Sequence, residues 1–299
     1  MDDVSFDVGE GEILGVVGES GCGKTMSMLS VMRLLPDNGR VLEGSALFRG
    51  MDIMSLSERE MCAVRGRRIS LIFQDPLSAL NPSMTVGYQI MEPFLIHRTL
   101  TKKEAKEAAL NLMRKVGIPS PERRFSEYPH NLSGGMRQRI MIAAALSCRP
   151  SLLIADEPTT ALDVSIQAQI LELLLSLRED TNMAIILVTH DLGVVSEVAD
   201  NVLVMYAGRD IEYGTAEEVL SRPKHPYTNG LLRSVPKLED DVFMLDPIAG
   251  SIPRACEMPD GCRFHPRCPS AADMCRSEKP GRYPGSGNSY VSCFLYRNV

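Results

Sequence analysis

Apolar residues come in two rhythms along this chain, and the alternation between them is the first clue to its architecture. Glu12–Val17 is a short apolar run that ends in glycine, as a buried strand feeding a loop would. Lys24–Leu35 then has helical spacing and stops at the turn cluster Pro36-Asp37-Asn38-Gly39. Arg68–Phe73 reads as a second buried strand. Thr101-Lys102-Lys103-Glu104 is a capping box, and Ala105, Ala108, Leu112 and Val116 recur behind it at helical spacing until Gly117 and Pro119. Gly135–Ser147 predicts a helix, Leu152–Ala155 a strand, Ser165–Arg178 a long helix and Met183–Thr189 another buried strand. Strands alternating with helices imply a mostly parallel sheet covered on both faces, an α/β fold.

The rhythm fades after about Ser221, where proline, glycine and cysteine become dense. A boundary near 221–235 is expected, giving a domain over 1–235 and a loop-rich extension over 236–299. At 299 residues there is room for both. The net charge of −6 gives no bulk electrostatic grip on nucleic acid, so no nucleic-acid partner is expected. The apolar runs Ile140–Leu146 and Ala184–Val188 are far short of the roughly 20 residues of a spanning helix. The acidic start Met1-Asp2-Asp3-Val4 lacks the basic and apolar regions of a signal peptide. A cytosolic protein is expected, with any membrane association supplied by a partner.

Chemistry enters at the first loop, Gly18-Glu19-Ser20-Gly21-Cys22-Gly23-Lys24-Thr25, which has the form GxxxxGK[ST]. Glycines let backbone N–H groups turn inward around phosphate oxygens, and the following helix adds its positive end. Lys24 suits the β- and γ-phosphates and the Thr25 hydroxyl suits Mg²⁺, so ATP and Mg²⁺ are the expected ligands. A strand before the loop and a helix behind it argue against a chance glycine turn. Asp156 and Glu157 end an apolar strand; Asp156 would hold Mg²⁺ and Glu157 would orient and deprotonate the attacking water.

The string Leu132-Ser133-Gly134-Gly135-Met136-Arg137-Gln138-Arg139 makes the set specific, because it resembles the signature of ABC ATPases. That resemblance covers about residues 4–235 and implies the ABC cassette: a mostly parallel sheet flanked by helices, a helical subdomain and a small antiparallel β subdomain. It implies that Ser133 and Gly135 touch the γ-phosphate of ATP bound to the opposite subunit. Gln74, in Phe73-Gln74-Asp75-Pro76, is similar to the glutamine that senses Mg²⁺ and couples to the membrane domain. Asp163, in Ala161-Leu162-Asp163, resembles the D-loop aspartate, and His190 resembles the switch histidine on the γ-phosphate. Family members carry an adenine-stacking aromatic ahead of a segment like Val4-Ser5-Phe6, and the sequence starts too late to include it.

Further strings resemble the ATPases of oligopeptide, dipeptide and nickel importers: Asp75 to Pro82, Asp163 to Ile170, and His225-Pro226-Tyr227-Thr228 with Leu231-Leu232. The Met136 to Arg139 version of the signature helix is similar to the OppD/DppD type. The resemblance implies peptide import driven by ATP at the cytoplasmic face of the cell membrane. It also implies a heterodimer with a second related ATPase, two transmembrane permease subunits and an extracytoplasmic substrate-binding protein. Nickel or another small solute is the alternative cargo, and a non-transport ABC ATPase the rival class. The short span between Gln74 and Leu132 leaves no room for the coiled coil of chromosome-structuring members.

Five of the eight cysteines crowd the C-terminal extension. Clustering in a cytosolic chain argues for metal over disulfides. Cys262, Cys268, Cys275 and Cys293 resemble the cysteines with which some of these importer ATPases hold a [4Fe–4S] cluster. Zinc and free buried thiols stay open as alternatives, and Cys256 is a spare or substitute ligand. Cys22 reads as a small filler of the phosphate loop, or as an exposed thiol open to alkylation.

Overall fold

The computed structural model describes residues 1–159, 164–234 and 248–297. The chain divides into two compact units, one of Met1–Val8, Glu12–Leu29 and Leu187–Val299, the other of Gly9–Gly11 and Ser30–Ile186. In chain order the strands are β1 (Ile13–Val17), β2 (Leu47–Phe48), β3 (Met51–Asp52), β4 (Ile69–Ile72) and β5 (Leu152–Asp156). They continue as β6 (Ala184–Val188), β7 (Asn201–Tyr206), β8 (Arg209–Thr215), β9 (Tyr283–Pro284) and β10 (Tyr290–Val291).

In the first unit β1 pairs parallel with β7 in the register Leu14 to Asn201 through Val17 to Val204. All five residues of β1 are buried, which is why it reads as a continuous apolar run rather than an alternation. β7 turns back antiparallel into β8, and β10 adds antiparallel to β8 with Tyr290 opposite Tyr213. The cysteine-rich extension thus donates strands to the sheet that begins with β1. Its Phe264 enters the core beside Val17, Val204, Tyr206 and Tyr227. Tyr206, Tyr227 and Phe264 meet edge to face, with ring centroids 4.7, 5.1 and 5.3 Å apart.

In the second unit β4 pairs parallel with β5, from Ile69 opposite Leu152 to Ile72 opposite Ala155. The helices Val86–Ile96, Lys102–Lys115 and Gly134–Leu146 pack on one another through Ile90, Phe94, Ala105, Ala109, Met113 and Ile140. The capping box expected at Thr101 is present in both directions: Glu104 N–H donates to the Thr101 hydroxyl and Thr101 N–H to the Glu104 carboxylate. Gly117 follows at φ 72°, the left-handed residue that ends such a helix.

Elements read from periodicity appear, with shifted ends. The first helix is Lys24–Val31, shorter than expected, because Arg33 turns left-handed at φ 51° before the turn cluster. The long helix runs Val164–Thr181, three residues beyond its expected end at Arg178.

Candidate functional site

The first unit carries the phosphate loop. β1 delivers it at Gly18, and the Lys24–Val31 helix leaves it, so the loop closes onto a helix N-terminus. Gly18 adopts φ 149°, and a Cβ there would lie 2.3 Å from the Met205 carbonyl oxygen and 2.8 Å from Cys22 Sγ. Only glycine fits. Gly21 and Gly23 also have positive φ, 81° and 109°. Lys24 is buried, and its ammonium donates to the Gly18 carbonyl at 2.7 Å and the Glu19 carbonyl at 3.3 Å, which aims it back across the loop. Cys22 is fully buried, and burial pushes its thiol above the ordinary value. The filler reading therefore holds; exposure to alkylation does not, since the glycine curl folds the side chain inward against the loop.

His190 stands in the same unit, exposed just past β6. Thr189 N–H donates to the Val16 carbonyl at 3.2 Å, so this turn and the phosphate loop both leave the C-terminal ends of neighbouring strands. Ligands of open α/β sheets bind at that end. Asp191 fixes the turn: its carboxylate accepts from Gly193 N–H at 2.9 Å, and its own N–H donates to the Thr189 hydroxyl at 3.0 Å.

The second unit brings together Gln74, Asp156 and Glu157. Asp156 is buried at the end of β5, and Glu157 follows in a left-handed conformation, φ 47°. A non-glycine residue held there is strained, and such strain gathers at functional turns. The Gln74 side-chain amide donates to the Glu157 carboxylate at 2.9 Å. Ser133 caps the Gly134–Leu146 helix by accepting from Met136 N–H, so exposed Ser133 and Gly134, with half-buried Gly135, form a helix N-terminus suited to an anion. Asp163, with Ala161 and Leu162, lies outside the described residues.

Sequence reasoning passed over Gln138, which is buried and donates to the Pro158 carbonyl at 2.5 Å. This bond ties the signature helix to the turn after Glu157. A glutamine inside an apolar helix was the only available signal. Tyr227 was also missed as a contact of the phosphate loop: its hydroxyl accepts from Glu19 N–H at 2.8 Å.

In the extension Cys262, Cys268, Cys275 and Cys293 line one cavity of about 100 Å³ together with His265 and Phe264. Burial, and then the nearness of the other cysteines, pushes the thiols of Cys262, Cys268 and Cys293 upward, that of Cys293 to about 11. All eight cysteines are free, and Cys256 is exposed and does not line the cavity. Among the described residues no group of three or more His, Cys, Asp and Glu is positioned to hold a metal ion. The four cysteines share one cavity, and no ready coordination cage stands among the described residues. No helix among the described residues is long and apolar enough to cross a membrane.

A glycine-built phosphate loop on a parallel strand, an Asp-Glu pair with its glutamine and a serine-capped signature helix together define an ABC-type ATPase. The family model described as ABC transporter matches residues 1–160, and that described as oligopeptide/dipeptide transporter, C-terminal region, matches residues 211–275. The chain is 48% identical over 297 residues to the oligopeptide transport ATP-binding protein AppD of Bacillus subtilis, covering 99% of this chain and 90% of that protein. It is 49% identical over 280 residues to the dipeptide transport ATP-binding protein DppD of Escherichia coli, covering 94% and 86%. Among solved structures, a dimeric ATP-binding cassette bound to ADP and phosphate superposes with a TM-score of 0.64 at 26% identity, over 72% of this chain and 89% of that one. The chain belongs to the oligopeptide/dipeptide family of ABC transporter ATP-binding proteins.

Proposed function

We propose that this chain hydrolyses ATP to drive import of di- and oligopeptides through a membrane transporter. The observation that carries the reading is the Glu157 carboxylate, presented by a strained turn at the end of β5 and held by Gln74. Support for peptide cargo comes from the relatives, which are dipeptide and oligopeptide transport ATP-binding proteins.

The roles follow the motifs. The loop from Gly18 through Thr25, including Glu19, Ser20, Gly21, Cys22 and Gly23, wraps the phosphates with its backbone N–H groups, and Lys24 binds the β- and γ-phosphates. Thr25, Asp156 and Gln74 would hold Mg²⁺; both oxygen donors and the buried carboxylate suit a hard cation. When bound, Mg²⁺ would supply positive charge against the negative charge that develops on the transferred phosphoryl group. Glu157 orients the attacking water and takes its proton, and His190 contacts the γ-phosphate. Ser133 and Gly135 close over ATP held by a sister subunit, with Asp163 at the same interface. Such a shared nucleotide makes closure depend on the γ-phosphate, so hydrolysis reopens the pair.

The remaining partners are a second, related ATPase, two permeases and a substrate-binding protein outside the membrane, with this chain at the cytoplasmic face. Phe73 and Leu77 beside Gln74 keep large apolar side chains exposed, 43% and 62%, as a docking face for permease helices requires. Residues 236–299 act as an extension specific to this branch. The four cysteines around one cavity are the donor set that a structural [4Fe–4S] cluster would use; such a cluster would cross-link the segment and offset its loop entropy.

The test is uptake of labelled dipeptide by proteoliposomes containing this chain with its permeases and companion ATPase. Uptake should require MgATP and vanish with Glu157→Gln, while Lys24→Ala should fail to bind ATP at all. Uptake of nickel complexes but not of peptides would move the cargo to the alternative. Aerobic and anaerobic preparations scanned for a visible chromophore and assayed for iron test the cluster separately; colourless, iron-free anaerobic protein removes it.

A further inference from the structure

Arg267 belongs to the cysteine-rich extension, in the 3-10 turn His265–Arg267 next to Cys268, yet its guanidinium reaches the phosphate loop. One terminal nitrogen donates to Glu19 Oε2 at 2.7 Å and the other to Glu19 Oε1 at 3.0 Å, a two-pronged grip on a loop carboxylate. The arginine side chain is only 5% exposed, against 30% for Glu19. Its remaining N–H groups are committed as well: Nε donates to the Ala249 carbonyl at 2.8 Å, and the terminal nitrogens also meet the Ile248 and Gly250 carbonyls and the Tyr206 hydroxyl. Every direction in which this fork donates is set by the extension or the core, so it has one aim. Tyr227 grips the same residue a second time, through the Glu19 N–H.

We propose that Arg267 is a positioning residue for nucleotide binding: it fixes the phosphate loop through Glu19 and cancels the Glu19 charge beside the phosphates. Two physical effects run in the same direction. A loop with three positive-φ glycines has large conformational freedom to lose, so an external clamp lowers the ordering cost that ATP binding would otherwise carry. A carboxylate within a phosphate cradle repels a triphosphate unless a cation is paired with it. A partly buried ion pair such as this adds little net stability, and its two-pronged hydrogen bonding fixes the geometry of the carboxylate. The inference rests on the reading of the loop as an ATP site.

The experiment is a titration of the full chain with MgATP in wild type, Lys24→Ala, Glu19→Gln, Arg267→Gln, Arg267→Lys and the Glu19→Gln/Arg267→Gln pair, with thermal melting of each. Arg267→Gln should weaken ATP affinity by about tenfold, and Arg267→Lys, which keeps the charge but loses the fork, should fall between. On the Glu19→Gln background the Arg267→Gln change should shift affinity by no more than about twofold, because the coupling is through that carboxylate. If Arg267→Gln does not fold, the cycle of Arg267→Lys with Glu19→Gln decides in its place. Wild-type affinity in Arg267→Gln, or an equal loss in both backgrounds, overturns the proposal and leaves the arginine a brace for the extension. If wild type and Lys24→Ala bind ATP alike, it is the nucleotide reading that fails.

Discussion

Gln74 and Glu157 are joined by a hydrogen bond of 2.9 Å from the glutamine amide to the carboxylate. The bond spans the ends of the paired strands β4 and β5, and so links the loop that bears Phe73 and Leu77 to the residue that would activate water. Movement of Gln74 would therefore be felt at the Glu157 carboxylate, and the proposed permease contact would reach the proposed base through this one bond.

Glu157→Gln should keep ATP binding and lower turnover by at least about a hundredfold, the range lost with a general base. Gln74→Ala should lower turnover less, since the carboxylate remains, and the two changes should not add. Steady-state ATPase with a parallel binding titration checks this; near-normal hydrolysis by Glu157→Gln would remove Glu157 from the role of base.

Ser133→Asp separates folding from function at the signature. Aspartate caps helices as well as serine does, so the melting temperature should stay within a few degrees. Its charge, however, would sit at the helix N-terminus that the proposed composite site turns toward a partner's γ-phosphate, and ATPase should fall by about tenfold or more while ATP affinity of the isolated subunit holds. The rate per subunit should also rise with protein concentration in the unmodified protein. A concentration-independent rate, untouched by Ser133→Asp, would mean that no composite site forms.

The repetitive parts of this molecule were open to sequence reading and its contacts between residues far apart in sequence were not. Continuous burial makes β1 and β6 apolar throughout, and the capping box at Thr101 writes its helix start in two side chains. Gly18 announces itself because the loop form demands glycine there, a demand the Met205 carbonyl enforces. Arg267 and Tyr227 gave no comparable sign. Their partner, Glu19, lies more than two hundred residues away in sequence, and no periodicity records such a pairing. The join of the extension to β8 was hidden for the same reason: β10 is a two-residue strand, too short to pattern.

Gly18→Ala should be severe. The added methyl would need φ near 149° and would meet a backbone oxygen at 2.3 Å, which cannot rotate aside. Strain and overpacking together would destabilise the first unit by about 3 kcal/mol, visible as a lower denaturant midpoint, and ATP binding should be lost with the loop shape. Gly21→Ala offers a control, because no atom lies within 4 Å of its added Cβ and only the φ of 81° opposes it. It should cost about 1 kcal/mol. Equal effects of the two substitutions would show that the Met205 contact does not constrain the loop.

His225 makes the same unit sensitive to acid. The imidazole is fully buried, and Nδ1 accepts from Tyr227 N–H at 3.0 Å to cap the Pro226–Arg233 helix. Accepting there requires Nδ1 to be unprotonated, and burial pushes the ring from its ordinary 6.5 down to about 3. Below pH 6.5 the unfolded chain takes up a proton that the folded chain refuses until about pH 3, so stability falls as pH drops across that window. The limiting slope is about 1.4 kcal/mol per pH unit. Glu212, which accepts from the His225 and Lys224 N–H groups, has the opposite sign. Burial raises its carboxyl above 4.5, so its contribution weakens stability as pH rises through that value. His225→Asn keeps a capping acceptor and removes the ring, which isolates the histidine from Glu212. Wild type should lose more melting temperature than His225→Asn between pH 7 and 5, while the folded protein keeps the cap and the Tyr227 hydroxyl on Glu19 throughout that range. Parallel losses in the two proteins would show that the acid sensitivity arises elsewhere.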